Sequence, residues 1–185
     1  MKILVIDIET TGFLKEGGKI VEVGIVSLDL DNGQKEILYD KLVHERPITL
    51  KEVENSWIVQ NKYITVDEIR NSTWLIKELQ TIQDILNEYP DGATAFNRSF
   101  DFDFLEHRGI RFPKKLPCPM LLSTDICKLP HKNGGNGYKW PKVEEAWKHY
   151  YPDIDYVELH RGADDAYHEA DIVYALHKLG LIIKE

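Results

Sequence analysis

The run Ile3-Leu4-Val5-Ile6, followed by Asp7-Ile8-Glu9 and then Thr10-Thr11-Gly12, constrains the fold more than any other stretch. Short, apolar and largely β-branched, it reads as a buried central strand over residues 2–8 rather than a helix. Strand side chains alternate between faces, so Asp7 and Glu9 share one face at the strand's C-terminal end. Two carboxylates in one pocket repel, and without a counter-ion one keeps its proton well above the usual pH. A divalent cation removes the conflict. An Asp-x-Glu at a strand end is also met as a solvated edge, a cap or a partner for arginine. The Thr10-Thr11-Gly12 tail favours the cation, because glycine lets backbone approach a ligand and the hydroxyls offer hydrogen bonds.

Two more strand-like stretches, 20–30 and 34–43, meet at Asp31-Asn32-Gly33, where Asn-Gly signals a hairpin. The first third is therefore expected to be a three-strand meander. Over residues 48–89 the period becomes helical (Leu75, Leu79, Ile82, Leu86), with Ser72 as the expected N-cap and Pro90-Asp91-Gly92 as the stop. Residues 93–96 read as a short fourth strand, 100–108 as a helix closed by Gly109, and 120–126 as a fifth strand. A Gly/Asn loop with Lys132 and Lys139 spans 131–139 and is expected to be a mobile basic flap. A helix follows from near Pro141 to before Pro152, and a last helix covers about 163–179. The expected architecture is α/β: one domain over residues 1–185, a mixed sheet flanked by helices.

Further acidic points lie downstream. In Ala95–Leu105, Asp101 and Asp103 open the helix after the fourth strand. The buried face set by Phe100, Phe104 and Leu105 carries Asp101 toward the strand's end and leaves Asp103 in solvent. In His160–Asp171, His160 precedes the last helix and Asp165 sits near its first turn, so both can meet one pocket. Asp164 reads as a first-turn charge, and His168, Glu169 and Asp171 as the helix's wetted face.

Composition narrows the function classes. With 43% hydrophobic residues in 185, a sizeable core is within reach. No stretch matches a membrane span or an export signal, so the expectation is a soluble, cytoplasmic protein. Cys118 and Cys127 encode neither a disulfide framework nor a zinc ribbon. A net charge of −8 argues against broad adhesion to nucleic acid but not against a small site whose metal ions supply the positive charge.

Together, D-x-E-T-T-G at 7–12, N-x-x-F-D-x-x-F-L at 97–105 and H-x(4)-D-A at 160–166 resemble the DnaQ-like 3′→5′ exonucleases, in the DEDDh subgroup. The Lys139-Trp140-Pro141-Lys142 segment resembles stand-alone members. The resemblance covers nearly the whole chain and implies a ribonuclease-H-like fold with a five-stranded mixed sheet. It also implies phosphodiester hydrolysis with two divalent cations, Mg²⁺ or Mn²⁺, a choice that oxygen-only ligands suit. By that resemblance Asp7 bridges both ions, Glu9 and Asp165 complete one site, Asp101 holds the other, and His160 accepts the proton of the attacking water. Thr11 and Phe13 become candidates for the terminal nucleoside, and Asn97 for the scissile phosphate or a helix cap. Phe96, Ile8 and Gly162 depart from the common His, Thr and Ala of relatives without removing a ligand.

The expected partner is a nucleic-acid 3′ end, single-stranded DNA ahead of RNA, with no membrane. The alternatives are an RNA-trimming enzyme of the ribonuclease T or oligoribonuclease type, and an inactive nucleic-acid-binding module. Arg111, Lys114, Lys115, Lys132, Lys139 and Lys142 are available to guide a strand. The sequence is silent on base preference, a polymerase partner and oligomeric state.

Overall fold

The computed structural model describes residues 1–132 and 134–183. Five strands, β1 (Lys2–Thr10), β2 (Ile20–Asp29), β3 (Lys35–His44), β4 (Thr73–Trp74) and β5 (Ala93–Thr94), form one sheet in the order β4-β3-β2-β1-β5. β1 to β3 are the expected antiparallel meander, while β4 and β5 join it in parallel. Gly33, at φ +78°, turns the β2–β3 hairpin, where Asp29 N donates to Gln34 O at 2.8 Å.

The eight helices among the described residues are α1 (Leu50–Glu54), α2 (Trp57–Gln60), α3 (Val66–Asn71), α4 (Leu75–Glu88), α5 (Arg98–His107), α6 (Pro119–Cys127), α7 (Val143–Tyr150) and α8 (Gly162–Lys178). Alternation along β1 divides the core. Leu4, Ile6 and Ile8 face α4 and α5 through Ile82, Leu86, Phe102 and Leu105, whereas Ile3 and Val5 face α7 and α8 through Trp147, Ala166, Ala170 and Val173. Asp7 and Glu9 continue the second set, so the strand's own period aims them at the start of α8.

Two expectations fail. Residues 120–126 are not a strand but most of α6, because Pro119 takes the first helical turn, which tolerates proline, and Met120 N is drawn onto Phe96 O at 2.9 Å. The fifth strand is instead Thr73–Trp74, and this changes the start of α4. Trp74 is its N-cap residue, while Ser72 closes α3 and donates its hydroxyl to Ile69 O at 2.7 Å. Part of the expected 131–139 flap, Asn133, lies outside the described residues. At its base Pro130 bridges Tyr138, and Lys139 pairs with Glu145.

Candidate active site

Side chains from β1, from the start of α5 and from the stretch running into α8 gather at the C-terminal end of β1. Asp7 is half-buried, and its Oδ2 is shielded from solvent with no hydrogen-bond partner among the described residues. Asp101, 4% exposed on the first turn of α5, accepts from Ile8 N at 3.2 Å. Glu9, His160 and Asp165 each present a ligand atom within 4.8 Å of the others, and His160 Nδ1 lies 3.8 Å from Glu9 Oε1. The buried Asp165 accepts from Tyr156 Oη at 2.8 Å, Leu159 N at 3.1 Å and Arg161 N at 2.8 Å, which staples the turn carrying His160 to the helix.

Two glycines bring α8 this close. Gly24 pairs with Asp7 across the sheet, and a Cβ there would stand 2.1 Å from the Gly162 carbonyl carbon. A Cβ on Gly162 would in turn meet Gly24 N at 2.8 Å, so glycine is sterically required here as well. Glu22, 1% exposed, completes the lock by accepting from the Arg161 guanidinium at 2.9–3.1 Å and from Gly162 N at 3.2 Å. Charge-assisted, two-pronged pairing of this kind fixes geometry as well as position.

The electrostatics carry the mark of a cation site. Burial first, then the charges of Glu169, Asp101, Glu9 and Asp165, holds the Asp7 carboxyl well above its usual range. Burial, reinforced by Asp165 and Glu22, pushes Glu9 up to about 9, and burial pushes Asp101 up to about 8. Glu158, hemmed in by burial and by Asp165, rises to about 7, while burial lowers His160 and keeps its ring neutral. Oxygen-rich, mutually repelling and containing an orphaned buried carboxylate oxygen, this donor set fits hard divalent cations.

The other residues singled out in the sequence fall as follows. Thr11 Oγ1 accepts from Lys19 N at 3.0 Å and shapes the turn after β1. Phe13 is 58% exposed, edge-on to Phe100 at 6.4 Å, and lines a cleft of about 300 Å³ with Asn97, Phe100, Phe104 and Trp140. Asn97 occupies the cap position of α5 but its side chain makes no capping bond, so it stands exposed at the cleft. Asp103 is exposed, as expected. Glu169 is not on a wetted face: it is 3% exposed, one turn beyond Asp165, and accepts from Phe96 N at 3.2 Å. Of that trio, Asp171 pairs with Lys35 and His168 stacks on Tyr156.

Sequence reasoning missed Glu22, Glu169, Tyr156 and the pair Trp57 and Tyr63. Glu22 carried a signal, an acid set among the apolar residues that open Ile20–Asp29. Tyr156, Trp57 and Tyr63 carried none, since only tertiary packing places them.

A family model described as exonuclease, of the ribonuclease T type, matches residues 4–173. The chain belongs to this exonuclease family. The match agrees with the resemblance to DnaQ-like exonucleases read from the sequence, and the family generally works with divalent metal ions. The fold is similar to that of a 3′-exonuclease recognising a histone mRNA stem-loop, with 17% identity, 98% of this chain and 83% of that one covered, and a TM-score of 0.66. It is also similar to the nuclease domain of 3′hExo bound to rAMP (16%, 97% and 93% covered, 0.64). A third similar structure is E. coli exonuclease I with a dT13 oligonucleotide (14%, 97% and 41% covered, 0.66). Among curated protein sequences, none matches the chain. No helix among the described residues is long and apolar enough to cross a membrane.

Proposed function

We propose that this exonuclease hydrolyses the terminal phosphodiester of single-stranded nucleic acid, DNA ahead of RNA, with two Mg²⁺ or Mn²⁺ ions and His160 as general base. One observation carries the reading: Glu9, His160 and Asp165 lie within 4.8 Å of one another, beside a shielded Asp7 Oδ2 that has no partner. Asp7 would serve both ions, Glu9 and Asp165 the one on the His160 side, and Asp101 the other. Bound there, the ions would stabilise the entering and leaving oxygens of an in-line displacement.

The chain's own groups do the rest. The neutral imidazole of His160 has a free ring nitrogen to take the proton of the attacking water, and its partial exposure leaves a path to return that proton to solvent. The Phe13–Phe100–Trp140 cleft supports an unpaired base, because ring faces are available for stacking only when the base is out of a duplex. Stacking ignores the sugar, and similar folds are seen with a histone mRNA stem-loop and with dT13, so both DNA and RNA are offered in the assay.

The deciding experiment digests matched DNA and RNA oligonucleotides, labelled at either end, with Mg²⁺, Mn²⁺ or chelator. A ladder shortening from the 3′ end, lost with chelator and lost in Asp7→Ala while the far-UV spectrum is unchanged, is expected. Undiminished cleavage by Asp7→Ala would refute the assignment, and no cleavage by the wild type would leave a binding module.

A further inference from the structure

The His160 ring lacks the usual means of orientation. A histidine that works as a base is ordinarily aimed by a hydrogen bond to its second ring nitrogen. Here, among the described residues, neither nitrogen makes a hydrogen bond, and the nearest carboxylate, Glu9, is 3.8 Å away. Asp165 fixes the backbone on either side, with His160 at φ +53°, a left-handed conformation unusual for a residue with a side chain, but this sets where the ring starts and not how it turns.

Two aromatic rings touch it instead. Trp57 meets the imidazole edge-on with centroids 4.8 Å apart and planes at 86°, and Tyr63 does so at 4.3 Å and 66°. Trp57 and Tyr63 stack on each other at 5.3 Å, so the three rings form one closed cluster. Both come from the segment around α2, which has its own small core of Val21, Val53, Ile58, Ile64 and Ile69. Val21 adjoins Glu22, which holds Arg161, so the rings and the turn that carries His160 are referenced to the same stretch of β2. Trp57 is nevertheless 55% exposed, a poor return for a purely structural tryptophan.

We infer that Trp57 and Tyr63 are positioning residues that hold the His160 imidazole in its working orientation by aromatic packing, in place of a hydrogen-bonded partner. The inference rests on the reading of His160 as the base, and a shift of about 1 Å in such a group is enough to cost up to roughly 100-fold in rate.

The test compares Trp57→Ala and Tyr63→Ala with Trp57→Phe and Tyr63→Phe on a single-stranded oligonucleotide with Mn²⁺. A second readout is the His160 ring-proton resonance of the metal-free proteins, assigned with His160→Gln. The alanine variants should lose roughly 10–100-fold in kcat with KM within about threefold. The phenylalanine variants should retain most of the rate, and the resonance should lose its ring-current displacement only in the alanine pair. Unchanged kcat together with an unchanged resonance would overturn the inference. So would a raised KM at constant kcat, which would make the pair a substrate-stacking surface. A wild type that cleaves nothing would sink the proposed function, while the resonance would still decide whether these rings fix the imidazole.

Discussion

Glu9→Gln should stabilise the metal-free protein while destroying its activity, and the size of the effect follows from the site. Burial and its acidic neighbours raise the Glu9 carboxyl from an ordinary 4.5 to about 9. The folded state therefore holds that proton more tightly than the unfolded chain does. The linked stability is fully present below pH 4.5 and is lost as pH rises through about 9. At pH 7 the loss spans about 2.5 pH units at about 1.4 kcal/mol each, or roughly 3.5 kcal/mol, whereas at pH 5.5 it is roughly 1.4 kcal/mol. Glutamine keeps the shape without the charge and escapes this loss. For a chain of this length the gain at pH 7 corresponds to about 7–14 °C in Tm.

Thermal melts in chelator at pH 5.5, 7 and 8 should show the wild type falling with pH and Glu9→Gln falling less. Mn²⁺ should then offset most of the gap, since an ion at about 100 times its Kd adds roughly 2.7 kcal/mol to the protein that binds it. A wild-type Tm that is flat or rising from pH 5.5 to 8 in chelator would refute the reasoning. So would a glutamine variant no more stable than wild type at pH 7.

Three further outcomes are expected. His160→Ala should lower kcat by about 10²–10⁴ while Mn²⁺ affinity, measured calorimetrically, stays within a few-fold; lost binding would recast His160 as a ligand. Arg161→Ala leaves the Glu22 carboxylate, 1% exposed, without its cation, and should cost roughly 3 kcal/mol in urea unfolding and reduce kcat through the loosened His160 turn. Gly24→Ala must part β2 from the start of α8, where a Cβ would sit 2.1 Å from backbone, and should lower Tm and abolish the Mn²⁺-induced gain in melts.

Much of this was readable in the sequence where the physics is local. The meander followed from β-branched runs and Asn32-Gly33, and strand alternation alone put Asp7 and Glu9 on one face. Asp101 was separated from Asp103 by helical phase. Phase failed where it was read against a presumed polarity: Glu169 lies one turn beyond Asp165 on the same face, so the spacing that buried one acid had to bury the other. The run 120–126 was misread because four apolar residues suit either element, and Pro119 with the Phe96 carbonyl decided for the helix. Trp57 and Tyr63 reach His160 across about a hundred residues of chain, a contact no local pattern announces.

The length of β5 shows why a misjudged boundary bears on function. Residues 93–96 read as strand, but pairing with β1 ends at Val5↔Thr94, whereas β2 accompanies β1 to Thr10. Beyond Val5, then, β1 keeps a neighbour on one side only, and polar backbone on the other side needs partners. Ile8 N finds the Asp101 carboxylate, which stands where a longer β5 would have offered a carbonyl. Phe96, freed from the sheet, gives its N–H to Glu169 and its carbonyl to Met120 N and Cys118 Sγ. Two more residues of pairing would close the opening into which α5 brings Asp101, and would pull Phe96 away from Glu169. The early end of β5 thus separates an ordinary sheet edge from one that gathers carboxylates, and the contacts that accompany it, Ile8 N to Asp101 and Phe96 N to Glu169, join residues far apart in the chain that no local pattern links.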